Sequence, residues 1–233
     1  MRIATYNICH CRYAKDGPEE VASVIAESGA DIVGLQEVDV HTNRVSYRNT
    51  LEEIAAAASM PYAAFCPTMP EYRFGAYGTG IVSRLPFSGF EVCPYRDRGE
   101  EPRAYSRAVV CADGHTFVFY NTHCAHKEPQ VRHTQIRELA QVLRQTPSFV
   151  VTGDFNEEDL APYLDDGICS VNAGRRYHTF HPGSASIDHI LYSPDLVMAA
   201  SGMFCTPASD HDLLWADLHF RCAKENETST GTP

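Results

Sequence analysis

The chain has 233 residues, 44% of them hydrophobic, with 30 acidic against 19 basic side chains and a formal net charge of −11. That length and apolar content point to one large domain over residues 1–222, and the acidic balance argues against a grip on duplex nucleic acid, which relies on Lys and Arg to neutralise phosphates. No run approaches roughly eighteen uninterrupted apolar residues, and Met1 leads into Arg2-Ile3-Ala4-Thr5-Tyr6 without a signal-peptide pattern, so a cytoplasmic, monomeric protein with no membrane span is expected.

In chain order, residues 2–8 read as a strand. Residues 18–28 read as a helix by the recurrence of Val21, Val24 and Ile25, with Pro18 suited to its first turn, and 31–38 as a second strand. A helical pattern at 51–59 precedes short β-like runs at 80–83, 108–111 and 116–120; the last two flank Asp113-Gly114, a hairpin signal. Residues 131–143 read as a helix by the spacing of Ile136, Leu139, Ala140 and Leu143, and 148–153, 187–192 and 213–220 as strands. Residues 223–233 are polar and read as a frayed tail. Buried strands, hairpins and helices in this mixture predict sheets covered by helices on their outer faces.

Nine cysteines, an odd number with no Cys-x-x-Cys, fit a reducing compartment. Cys9-His10-Cys11 and the His123-Cys124-Ala125-His126 segment lack the doubled ligand pairs of structural zinc and are read as packed thiols and ordinary imidazoles.

Several strands share one habit, running apolar and finishing on a polar side chain. Residues 3–6 lead to Asn7, 32–36 to Glu37, 117–120 to Asn121 and His123, and 149–151 to Asp154 and Asn156; Asp188-His189 opens one run and Ser209-Asp210-His211 stands before another. Taken alone, Gly153-Asp154-Phe155-Asn156 is a turn or a site with equal justification, since Gly, Asp and Asn are turn formers. Together these endings describe one edge loaded with carboxylates, amides and imidazoles. Such oxygen-rich donors with few thiolates suit Mg²⁺ or Mn²⁺, and the imidazoles and amides suit a phosphate.

These residues carry a resemblance to the endonuclease/exonuclease/phosphatase superfamily of metal-dependent phosphohydrolases. The matching pieces, in family order, are residues 4–8, 35–39, 77–86, 121–123, 153–156, 187–191 and 209–211. The resemblance implies a four-layer α/β/β/α sandwich, two mixed sheets packed face to face with helices outside, and an active site at one end. It implies Glu37 as main metal ligand, with Asn7 close by and Asp210 as a further or water-mediated ligand. Asp154 would activate the attacking water, Asn156 would hold water or phosphate, His211 paired to Asp188 would face the phosphate, and His123 would be a second phosphate-facing imidazole. The cofactor implied is Mg²⁺, with Mn²⁺ as substitute, and the substrate a phosphodiester or phosphomonoester of a small molecule, lipid headgroup or nucleotide.

Arg103 and Arg107 resemble a segment where relatives place an arginine against phosphate, and an edge-strand arginine in solvent is an equal reading for each. Arg132 and Gln135 are read as structural, and His126 as a surface residue or a substrate contact. Asp212 departs from the family pattern, and so does Cys124. A nuclease on short single strands is the runner-up activity; a non-catalytic scaffold would have lost Glu37, Asp154 or His211, and all three are present. Specificity is expected in residues 39–49, 66–79, 93–105 and 172–186.

Overall fold

The structure is a computed structural model that describes residues 1–71 and 75–221; the expected tail lies outside the described residues. The chain opens with β1 (Arg2–Asn7), α1 (Pro18–Ser28) and β2 (Ile32–Val40). Pro18 stands in the first turn of α1 and Gly29, at φ 70, stops it. Then come α2 (Thr50–Ala57), capped by the Asn49 side chain on the Glu52 N–H, and the strands β3 (Tyr62–Glu71), β4 (Gly75–Ser83) and β5 (Phe87–Pro94). The hairpin β6 (Ala104–Ala112) and β7 (His115–His123) turns at Asp113 and Gly114, whose φ of 51 and 78 supply the two left-handed residues its tight loop needs. The rest is α3 (Pro129–Leu143), β8 (Phe149–Asp154), β9 (Cys169–Ser170), β10 (Asp188–Tyr192), β11 (Leu196–Phe204) and β12 (Leu213–Phe220).

The strands form two mixed six-stranded sheets, ordered β11-β12-β1-β2-β4-β3 and β5-β6-β7-β8-β10-β9. Each has one parallel pair joined by a helical crossover, β1-α1-β2 in the first and β7-α3-β8 in the second. Alternation along the strands sorts the core into three layers. Ala4, Tyr6, Val33 and Leu35 pack under α1 and α2 with Val21, Ile25 and Ile54. Ile3, Ile32, Phe117, Phe119, Val150 and Leu214 fill the space between the sheets. Phe149, Val151 and Tyr120 meet Ile136, Leu139 and Leu143 of α3. The expected four-layer sandwich is the observed fold. No helix among the described residues is long and apolar enough to cross a membrane.

The layer between the sheets changes from apolar to polar toward one end. Gln36 Nε2 donates to Thr5 Oγ1 (3.1 Å) and Asn121 Oδ1 (2.8 Å), Thr152 Oγ1 donates to the same Asn121 oxygen (3.1 Å), and Asn121 Nδ2 donates to the carbonyls of Leu35 and Gly80 (2.9 Å each). This buried network stitches the sheets together and makes a polar floor. Gly34 permits it, since a Cβ there would sit 2.0 Å from Thr152 Oγ1 and 2.4 Å from Asn121 Oδ1.

Of the segment 66–79 expected to carry specificity, the described residues belong to the paired strands β3 and β4, in register from Cys66↔Thr79 to Glu71↔Gly75 with a shift between Pro67 and Met69; residues 72–74 lie outside the described residues.

Candidate active site

Both parallel pairs finish at the same end of the sandwich, above the polar floor. β1 and β2 deliver Asn7 and Glu37, and β7 and β8 deliver His123 and Asp154, whose positions are register partners. The antiparallel neighbours start where these strands stop: Asp188 opposes Asp154 at the head of β10, and Asp210-His211 stands just ahead of β12. The carboxyl ends of parallel strands are where open α/β sheets place ligands, and here two such ends face each other.

Glu37, Arg103, His123, Asp154, Asn156, Asp210 and His211 line one cavity of about 300 Å³. Asp154 is its centre. Oδ1 accepts the Asn156 N–H (2.8 Å) and Oδ2 accepts from Asn7 Nδ2 (3.0 Å), while His123 Nε2 and His211 Nε2 stand 3.6 and 3.9 Å from Oδ2. Phe155, 1% exposed, points into the core, and Asn156 takes a left-handed φ of 52 to return to the cavity. The Gly-Asp-Phe-Asn segment is thus a turn, and its turn-forming hydrogen bond holds a carboxylate in the cavity. Asn156 Nδ2 donates to the Cys124 carbonyl (3.0 Å) and His126 Nδ1 lies 3.0 Å from its Oδ1, which brings His126 into the cavity wall.

Asn7 offers its nitrogen, since Oδ1 accepts the Cys9 N–H (3.0 Å) and Nδ2 reaches both Asp154 and, at 3.3 Å, Glu37 Oε1. Its amide therefore bridges the two carboxylates. Ser209 Oγ donates to the Asn7 carbonyl (2.7 Å) and accepts the His211 N–H (3.2 Å), tying the end of β1 to the Asp210-His211 turn. His211 Nδ1 donates to Asp188 Oδ2 (2.8 Å), which also accepts from Thr179 Oγ1, and the Phe180 ring lies 4.8 Å from the imidazole. Asp212 accepts from the Thr206 N–H (3.0 Å) and pairs with His181 Nε2 (2.8 Å), so this departure fixes the loops beside His211. Gln135 accepts the Ala125 N–H (2.8 Å), and Arg132 donates to the carbonyls of Ala125 and His126, which holds the segment behind His123.

The two arginines separate. Arg103 is 4% exposed in the cavity wall, with Nη2 on Glu101 Oε2 (2.8 Å) and a buried Nε that has no hydrogen-bond partner among the described residues. Arg107 does not join it: it sits inside β6, partly exposed, and pairs across the strands with Glu91 (2.7 Å), whereas Arg103 lies just ahead of β6. Tyr77, Phe180 and His126 line the cavity from segments without a periodic signal. His10 Nδ1 approaches Glu37 Oε2 at 3.4 Å without hydrogen-bond alignment.

Burial pushes Asp154 up to about 7, with Asp188 adding to it and His211 opposing. Burial alone would lower His211, yet Asp188, Asp154 and Asp210 carry it up to about 10. Burial holds His123 well below the usual imidazole value, with Arg103 contributing. Glu37, which burial would raise, is held at about 2 by His10, His123 and Asn7. The site therefore pairs a carboxylate that titrates near neutrality with one cationic and one neutral imidazole. His211, raised from 6.5, contributes stability that is complete below its unfolded value and lost as pH climbs through about 10. The buried thiols Cys9 and Cys11, pushed up to about 12, add the same sign at higher pH. The metal-free protein is expected to melt at progressively lower temperature from about pH 7 to about pH 10. A thermal midpoint equal or higher at the alkaline end would contradict this.

Two donor clusters sit here: Asp154, Asp188 and His211, and Cys9, His10 and Glu37, each with donor atoms within 4.8 Å of one another. In the first, His211 spends Nδ1 on Asp188, so that cluster reads as a proton network. Of the other carboxylates that line the cavity, Glu101 pairs with Arg103 and Lys127, and Glu37 and Asp210 fit a divalent cation.

The profile of the Endonuclease/Exonuclease/phosphatase family matches residues 4–211. No curated protein matches the chain. Among solved structures, an endonuclease/exonuclease/phosphatase from Beutenbergia cavernae is 19% identical with TM-score 0.79, covering 94% of this chain and 71% of that one. TDP2 of D. rerio, complexed with single-strand DNA product, is 18% identical with TM-score 0.76, over 94% and 98% of the two chains. A mannosyl-6-phosphatase of Bacteroides thetaiotaomicron is 17% identical with TM-score 0.68, over 94% and 100%.

Proposed function

We propose, on the premise that the chain belongs to the endonuclease/exonuclease/phosphatase family, that it is a divalent-cation-dependent hydrolase of a small phosphoester. Members of this family hydrolyse phosphoester bonds and generally depend on a divalent metal. The observation that carries the reading is the environment of Asp154, a carboxylate oriented by Asn7 and the Asn156 N–H and flanked by His123 and His211.

Glu37, with Asp210 beside it, would hold Mg²⁺ or Mn²⁺. Bound there, the cation supplies positive charge against the phosphate oxygens and eases deprotonation of the attacking water. Asn7 bridges Glu37 and Asp154 and so keeps the cation side and the base side in register. The proton of the attacking water passes to Asp154 Oδ2, whose value near 7 makes it a better base than an ordinary carboxylate. His211, kept cationic by Asp188, donates from Nε2 to the phosphate oxygens. His123 Nε2 stands 3.6 Å from the same Asp154 oxygen, and Arg103 and Asn156 complete the set of donors. Water adds to phosphorus as the ester P–O bond breaks, the departing oxygen takes a proton from solvent to leave as an alcohol, and the proton held by Asp154 returns to solvent.

A cavity of about 300 Å³ suits a phosphate with a small substituent. Among the described residues the rim carries no basic track, since Arg103 and Lys127 both pair with Glu101. Together with the net charge of −11, this favours a small phosphorylated molecule over a polynucleotide.

Glu37→Gln is the test. In wild type, Mg²⁺ or Mn²⁺ is expected to raise the thermal midpoint by relieving repulsion among the cavity carboxylates in the folded state only. In Glu37→Gln that rise is expected to disappear, with hydrolysis of an aryl phosphodiester falling on the order of 10²-fold or more. Turnover that Glu37→Gln leaves intact would remove Glu37 from the site.

A further inference from the structure

Beyond β1 the backbone takes three consecutive left-handed residues, none of them glycine: Cys9, His10 and Cys11 at φ 42, 44 and 60. Such conformations cost on the order of 1–3 kcal/mol each and persist where the surroundings over-determine them. Here the turn is fixed by the Cys9 N–H on Asn7 Oδ1 (3.0 Å) and the Cys11 N–H on the Ile8 carbonyl (2.8 Å). Glu37 is also left-handed, at φ 58, where the β2–β4 register shifts. The two distortions point at each other. The donor atoms of Cys9, His10 and Glu37 lie within 4.8 Å of one another. His10 Nδ1 is buried, 3.4 Å from Glu37 Oε2, and has no hydrogen-bond partner among the described residues. Cys9, 8% exposed, lies against both Glu37 and Asp210.

We propose that His10 Nδ1 and Cys9 Sγ join Glu37 as ligands, so that this site takes a transition metal of the Zn²⁺ class in preference to Mg²⁺. Mg²⁺ demands oxygen donors, whereas an imidazole nitrogen and a sulfur beside one carboxylate form the borderline-soft set that suits Zn²⁺. Three protein donors also leave a position for water or a phosphate oxygen. His10 binds through its Nδ1 lone pair as a neutral imidazole, and Cys9 releases its thiol proton to solvent as sulfur takes the metal, so one proton leaves per ion bound. The strained turn then has a role that a packed-thiol reading does not give it. This inference rests on Glu37 as the metal anchor.

Metal-stripped full-length protein is titrated with Zn²⁺, Mg²⁺ and Co²⁺ by equilibrium dialysis, and the Co²⁺ form is read by its electronic spectrum. Wild type is expected to bind Zn²⁺ more tightly than Mg²⁺ and to show a sulfur-to-cobalt charge-transfer band. Cys9→Ser should lose that band. His10→Asn should weaken Zn²⁺ on the order of 10–100-fold or more, since loss of even an outer partner of a ligand costs that much, with Mg²⁺ nearly unchanged. Metal-free thermal midpoints check folding, and Cys9→Ala substitutes if Cys9→Ser lowers the midpoint. Zn²⁺ affinity and Co²⁺ spectrum unmoved by both variants would overturn the inference while leaving Glu37 as anchor; binding unmoved by Glu37→Gln would instead overturn the anchor itself.

Discussion

Asp154→Asn is expected to lower hydrolysis on the order of 10²–10⁴-fold, the contribution of a positioned general base, while leaving the fold intact. The substitution keeps the size and the acceptor oxygen that takes the Asn156 N–H, so the turn survives. What it removes is Oδ2, which receives the proton and accepts from Asn7 Nδ2; Asn7 keeps Glu37 Oε1 as an acceptor. The expected stability effect has the opposite sign to the activity effect. Asp154 is buried beside Asp188, and its carboxyl is pushed from 3.8 up to about 7, so ionising it in the folded state costs stability as pH rises through that range. The metal-free Asp154→Asn protein should therefore melt at or above the wild-type midpoint at about pH 8. Loss of activity together with a lower midpoint would mean that Asp154 is chiefly structural.

Gly34→Ala is expected to destabilise the fold by roughly 3–5 kcal/mol, combining overpacking with broken buried hydrogen bonds. The added methyl would meet Thr152 Oγ1 at 2.0 Å and Asn121 Oδ1 at 2.4 Å. Neither can yield cheaply, because Asn121 is bonded by Gln36, Thr152 and two backbone carbonyls, and Thr152 sits inside β8. At roughly 2–4 °C per kcal/mol for a chain of this size, the midpoint should fall by on the order of 10 °C. Thr152→Ala in the same chain removes the nearer clash and should recover part of the loss, a coupling that a double-mutant cycle in thermal or urea denaturation reads directly. Strict additivity of the two substitutions would contradict the proposed contact.

How far the sequence reaches is clearest at the sheet edges. The strands it reveals, such as β1, β2, β7, β8 and β12, are interior strands flanked on both sides, and their apolar runs are long because both faces are covered. The four it does not reveal, β3, β5, β9 and β11, are the four edges of the two sheets. β3 carries Pro67 and Pro70, β5 has Gly89 and an exposed pattern, β9 has two residues, and β11 is half-exposed with a bulge between Met198 and Ala200. Edge strands tolerate proline, bulges and polar residues because one side needs no partner, and this erases the alternation a reader relies on.

The site follows the same logic. Asn7, His123, Asp154 and Asp188 are legible because they terminate or open interior strands, and topology gathers those ends; Glu37 lies inside β2 at its register shift, and His211 stands two residues ahead of β12. Asn156 and Asp210 follow them one turn away. His10 and Phe180 are not legible, since they reach the site through left-handed turns and a long connection; Tyr77 lies in the matching piece 77–86, yet nothing in its residue type marks it as lining the site. Arg103 and Arg107 look equivalent in the sequence; Arg103 falls just ahead of β6, where the chain buries it in the cavity wall, and Arg107 falls inside β6, where it pairs with Glu91.

Hydrolysis of a small phosphoester at Asp154 is read by one assay: divalent-dependent turnover of an aryl phosphodiester, an aryl phosphomonoester, inositol phosphates, sphingomyelin and single- and double-stranded DNA, with Asp154→Asn run beside wild type. Turnover of a small phosphoester that chelation and Asp154→Asn both abolish, with duplex DNA uncut, is the predicted result. Turnover that persists in Asp154→Asn, or silence on every substrate from a protein whose midpoint divalent cations do not move, would contradict it.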